Sequence, residues 1–227
     1  MKKFWQFWIF LLIFFGSISK AQSQQNDFAT WNYVNLKYKF NENLYLNLAE
    51  HMLRNENATE LWLLFHDISL NQWISPHFTQ ELHFRLMNQK ELNDNFIDKE
   101  VIYYAMNGQW KLGRWQLGLR SRWQGMAYGT HLNDEFKGPY FYHRGRLMCG
   151  TSFNYYWKSS LTAEFFQPIN RPNRQGIDQV RYGILMTNTI NKRFAMDYFF
   201  QLQQQKGRKN PYQYFVLGIG CNFVLSQ

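Results

Sequence analysis

Cysteine is nearly absent from this 227-residue chain, which carries only Cys149 and Cys221. Both fall in segments with strand patterning, far apart and on apolar phases. A disulfide framework is thereby excluded, and two free thiols or one opportunistic bridge is expected. Long hydrophobic runs are missing too. Beyond the first residues nothing approaches the roughly 20 apolar residues of a membrane helix, and no segment of any length has helical period. The six histidines (His51, His66, His77, His83, His131 and His143) show no metal-ligand spacing, so neither a metal site nor a cofactor is expected. Acidic residues are in deficit, 16 against 25 basic ones.

The chain opens with Met1-Lys-Lys3, an apolar run from Phe4 to Phe15 interrupted at Gln6, and small residues ending at Ala21. This is the layout of a secretory signal peptide over residues 1–21, cleaved after Ala21. Its removal takes away Lys2, Lys3 and Lys20 and leaves 22 basic against 16 acidic residues. Residues 22–27 then read as a short lead and 28–227 as one domain.

Aromatics are abundant, at 19% of the chain, although mean hydropathy is −0.50. High aromatic content without long apolar runs is what alternating membrane strands produce. The stretch RWQLGLRSRWQ, residues 114–124, shows the pattern. Read as a strand, it puts Trp115, Leu117, Leu119 and Trp123 on one face with Ser121 between them, and Arg120 and Arg122 on the other. Because aromatics and arginines lie on opposite faces, they cannot together stack bases and hold phosphates. Nucleic-acid binding is set aside.

Alternation bounded by turn residues predicts strands near 77–88, 114–126, 140–157, 176–190, 193–204 and 211–225, with less regular ones near 28–40, 44–54, 60–72, 97–112 and 160–167. Short turns are expected at 41–43, 74–76, 111–113, 158–160 and 191–193, and longer polar connections near 88–96, 125–139, 168–176 and 204–211. Alternating short and long connections are typical of outer-membrane barrels, which are even-numbered in bacterial single chains. The tally of eleven is therefore adjusted to ten or twelve strands, in an all-β, transmembrane, antiparallel up-and-down barrel.

With apolar phases outward, the lumen receives Glu81, His83, Arg85, Arg120, Arg122, Arg144, Arg146, Glu164, Arg181 and Asp197. One reading is a packed network in which arginine forks satisfy carboxylates. The other is a narrow route for small anionic or polar solutes. Catalysis has little support. A lipid-degrading barrel would need an outward serine and histidine together; Ser121 and His143 share that phase, but nothing in the sequence brings them close. In the last strand, Gly220, Phe223 and Leu225 resemble the glycine-then-aromatic spacing read by the barrel-assembly machinery, although the chain ends Val-Leu-Ser-Gln.

Trp31, Glu50 with Arg54, Arg144-Gly-Arg146, Glu164-Phe-Phe166, Arg181-Tyr-Gly183, and Tyr198 with Gln201 resemble the domain-of-unknown-function 2490 family across roughly 28–225. The resemblance implies an exported outer-membrane barrel of a Gram-negative bacterium and supplies no catalytic residue. Glu50 and Arg54 share the phase of Leu48 and Met52, which is at odds with an inward orientation. The expected protein is thus a non-enzymatic outer-membrane barrel in contact with lipid, of structural or interaction type and largely filled. The alternatives are a narrow channel and, third, a lipid-modifying enzyme.

Overall fold

The computed structural model describes residues 25–90, 95–128, 137–170, 176–207 and 211–226, and the signal segment expected at 1–21 lies outside them. The described residues form eleven strands: β1 (Gln25–Lys39), β2 (Leu44–Asn55), β3 (Glu60–Trp73), β4 (Phe78–Lys90), β5 (Phe96–Leu112), β6 (Trp115–Tyr128), β7 (Lys137–Ser152), β8 (Trp157–Pro168), β9 (Gln179–Asn191), β10 (Phe194–Gln205) and β11 (Tyr212–Ser226). Each consecutive pair is antiparallel, and β1 meets β11 to close the barrel.

The expectation of ten or twelve strands is corrected to eleven. An even count is forced only when every neighbour is antiparallel. Here the closing ladder is parallel, from Gln25↔Tyr212 to Lys39↔Ser226, and a parallel ladder satisfies the same backbone groups with slanted bonds. The seam is matched in shape. Trp31 lies opposite Gly218 and Tyr33 opposite Gly220. A Cβ on Gly220 would stand 2.1 Å from the Tyr33 ring, and one on Gly218 would stand 2.0 Å from the Phe199 ring. The glycines of β11 leave room for the inward aromatics of β1 and β10.

One turn differs from expectation. Residues 153–156, rather than 158–160, join β7 to β8. The Asn154 side chain accepts hydrogen bonds from the Tyr156 and Trp157 backbone N–H groups, an Asx turn that ends the strand despite the aromatics Phe153, Tyr155 and Tyr156. Those aromatics are exposed at the short-turn rim. Longer connections gather at the other rim, with residues 56–59 as a four-residue exception. Glu56, Asn57 and Ala58 there have φ of 50°, 57° and 66°, and Asp27 accepts from the backbone N–H groups of Glu56 and Asn57 at 3.0 Å each.

The outward face is apolar over most of the circumference. Leu82, Phe84 and Leu86 on β4, Ile102, Tyr104 and Met106 on β5, Leu117, Leu119 and Trp123 on β6, and Leu217, Ile219 and Leu225 on β11 are all exposed. The inward face is where burial occurs. Ala105 is 0% exposed, and Val101, Tyr103, Ser69 and Asn71 are each 1–2% exposed. Cys149 and Cys221 are free.

Candidate functional site

The inward charges of β3 to β9 form two adjoining clusters that share a lumen wall. In the first, Asp67 on β3 receives the Arg85 guanidinium from β4 (Nε to Oδ2 2.7 Å) and the Tyr103 hydroxyl from β5 at 2.8 Å. Its other oxygen lies 2.6 Å from His83 Nδ1. His83 Nε2 in turn lies 3.2 Å from Glu81, so each ring nitrogen meets a carboxylate. Tyr103 stacks on His83 with centroids 4.0 Å apart. Register explains the convergence: Asp67 pairs directly with Arg85, and Arg85 with Val101, which puts Tyr103 two residues along the same inward face.

The second cluster centres on Glu164 of β8. Register sets Arg120 beside Arg146, Arg146 beside Glu164, and Glu164 beside Arg181. The carboxylate Oε1 accepts from Arg120 and from Arg144 at 3.1 Å. The remaining guanidinium surface is covered by aromatic rings. Arg122 lies 4.0 Å over Tyr103, while Arg144 and Arg181 lie 4.1 and 4.4 Å from the Phe166 ring centre. Stacking of this kind stabilises a cation by about 2 kcal/mol where water is excluded. Even so, the Nε atoms of Arg120, Arg122, Arg144 and Arg181 are buried without a hydrogen-bond partner among the described residues. Among the residues facing this layer, Arg85, Arg120, Arg122, Arg144, Arg146 and Arg181 outnumber Asp67, Glu81 and Glu164. It is a layer with surplus positive charge.

The predicted lumen residues are thus all inward, but they do not form one group. Asp197 on β10 stands apart, accepting from the Tyr33 hydroxyl, Thr187 Oγ1 at 2.6 Å and Asn222 at 2.9 Å. Asp67, Tyr103 and Tyr33 join this interior without a signal in the sequence that singles them out. Inward β3 also carries Leu63 and Phe65, so its phase cannot be read from alternation. Glu50 and Arg54 point outward, and Glu50 meets His66 at 2.5 Å on the outer face. Gly220 has the packing role described above. Phe223 faces outward and stacks on Phe194, and Leu225 is outward and exposed.

Two outward polar residues are brought together as well. Ser121 Oγ lies 3.0 Å from His143 Nε2, because β6 and β7 pair Ser121 with Gly145 and Trp123 with His143. Among the described residues, no group of three or more His, Cys, Asp or Glu could hold a metal ion.

A closed, mostly antiparallel barrel with a charged interior layer defines a porin-like class of fold. Residues 28–214 match the family described as protein of unknown function DUF2490, and the chain belongs to that family. Among solved structures it is similar to the NanC porin in its rhombohedral crystal form, with a TM-score of 0.51 and 10% identity over 88% of this chain and 99% of that one. At that identity the likeness speaks to fold alone. No curated protein matches.

Proposed function

We propose that this chain is an outer-membrane β-barrel of a Gram-negative bacterium, spanning the bilayer with its lumen closed by the arginine–carboxylate layer, and that its role is structural or interactive rather than conductive. Sec-type export and insertion by the barrel-assembly machinery belong to the same reading. Support for the membrane placement comes from the outward Leu, Ile and Phe side chains and from the exposed aromatics Phe153, Tyr155 and Tyr156 at the short-turn rim; barrels carry aromatic girdles where apolar belt meets water. Short turns then face the periplasm and longer connections the exterior.

The observation that carries the closed lumen is burial. Arg122, Arg144 and Glu164, near the middle of three neighbouring strands, are 6%, 8% and 6% exposed. A water-filled channel would leave such groups wet. The test is single-channel recording on refolded, heat-modifiable protein in planar bilayers, with absence of conductance steps as the expected result. Steps of reproducible size would overturn the closed lumen.

A second reading rests on the same layer's unpartnered guanidinium Nε atoms, which suit a small anion entering between the arginines. Its signature is anion-selective conductance that collapses in Arg120→Ala/Arg122→Ala. Conductance unchanged by that substitution would remove these arginines from any role in passage.

A further inference from the structure

The closed lumen directs attention to the outer surface, where a hydroxyl and an imidazole sit against each other in an apolar belt. Ser121 lies between the outward tryptophans Trp115 and Trp123 and beside the exposed Leu119 and Leu147. Polar groups facing lipid are costly and mark function more often than packing. The pair is also held firmly. The His143 ring lies 4.7 Å from Trp123 and 5.8 Å from Phe165, centroid to centroid. Phe165 fills the space above Gly145, the residue opposite Ser121. Beyond His143 the directly paired residue is Gln167 on β8, outward and exposed.

Next to this pair the outer face is concave. A groove of about 460 Å³ is walled by Leu82, Ile102, Tyr104, Trp123, Phe141 and Ile169. Trp123 is shared between the groove wall and the His143 contact, and Phe141 is two residues from His143 on the same face. The groove thus ends at the Trp123 side chain that packs on His143.

We propose that Ser121 and His143 are the nucleophile and base of a lipid-facing acyl hydrolase site, acting on the carboxylic ester of a membrane lipid whose chain occupies the groove. Serine is a weak nucleophile until an adjacent base takes its proton. In the first step His143 Nε2 accepts the Ser121 hydroxyl proton while Oγ bonds to the ester carbonyl carbon. The tetrahedral intermediate then expels the alcohol oxygen of the lipid, which takes the proton from His143. The product is an acyl-Ser121 ester and a deacylated lipid. Water, deprotonated by His143, attacks the acyl carbon and releases a fatty acid, and the proton returns to Ser121. Gln167, paired with His143 across β7 and β8, is assigned the positioning role: its amide oxygen would accept from Nδ1–H and hold the tautomer whose Nε2 faces Ser121.

The test uses the refolded chain, checked for heat-modifiable migration, in vesicles of diacyl phosphatidylethanolamine and, in a separate arm, in vesicles of lipid A. Fatty acid is expected from at least one arm, and the arm that responds identifies the lipid. An alkyl fluorophosphonate is expected to add to Ser121, located by peptide mass spectrometry. Ser121→Ala and His143→Phe, which keep the outer face apolar, are expected to lower release at least about a hundredfold, the usual scale for a general base. Gln167→Ala is expected to lower kcat with KM unchanged, and Gln167→Glu to restore part of it. Failure of folded protein to release fatty acid in either arm would overturn the proposal, as would a fluorophosphonate adduct elsewhere or full release by Ser121→Ala.

Discussion

At the residue scale the interior is decided by Glu164. One carboxylate takes hydrogen bonds from Arg120 and Arg144 and lies beside Arg146 and Arg181 in register. Breaking a buried ion pair by removing one partner typically costs about 3–5 kcal/mol, because the other charge stays buried alone. Glu164→Gln is expected to lower stability by that amount in urea unfolding of the refolded barrel, and the double variant Glu164→Gln/Arg144→Gln to recover part of the loss. Ala58 behaves oppositely. Its φ of 66° is left-handed, a conformation that strains an L-residue with a Cβ. Ala58→Gly is expected to stabilise the barrel by about 0.5–1 kcal/mol, the left-handed penalty less the added chain entropy of glycine. A lowered urea midpoint in that variant would contradict this account of the 56–59 turn.

At the element scale the seam between β1 and β11 is the unusual part. Ten antiparallel contacts follow from chain order, whereas the parallel one needs side chains that fit. Gly220 provides that fit by receding where Tyr33 of β1 projects, as Gly218 does for Phe199 of β10. Gly220→Ala would drive a methyl group into the Tyr33 ring and disturb the Tyr33 hydrogen bond to Asp197. Overpacking of this kind costs about 1–3 kcal/mol. The expected outcome is a destabilised barrel even when refolding is done in detergent without assembly machinery. Normal stability in detergent, with failure only in cells, would assign Gly220 to recognition by the machinery instead of to packing.

At the scale of the whole molecule an odd strand number has a topological consequence. β1 begins at the rim that carries the longer connections, and β11 ends at the short-turn rim. On the proposed outer-membrane placement with short turns periplasmic, an epitope placed ahead of Gln25 is expected to be reached by antibody on intact cells. One placed after Ser226 is expected to be reached only once the outer membrane is opened. Both epitopes on one side would mean an even-numbered barrel and would remove the parallel seam.

Much of this was legible without coordinates. Strand period two in segments such as 114–124 fixes which residues share a face, because successive side chains point to opposite sides. On the proposed membrane placement a lipid-facing arginine near mid-membrane costs about 2–4 kcal/mol, which turns Arg120, Arg122, Arg144, Arg146 and Arg181 inward wherever the strands lie. Two things were not legible. Strand count hinged on a parity rule that presupposes antiparallel closure, and the parallel ladder of β1 on β11, with Tyr33 seated over Gly220, 187 residues away in sequence, reverses it. Pairings between strands were also hidden, since periodicity says which face a side chain takes but not the height at which it meets its neighbour. The sequence by itself determined a barrel with an apolar exterior and a charged interior. The tertiary structure decided which charges meet at Glu164 and which at Asp67, and that Ser121 and His143 touch, because those facts reside in the register of one strand against the next.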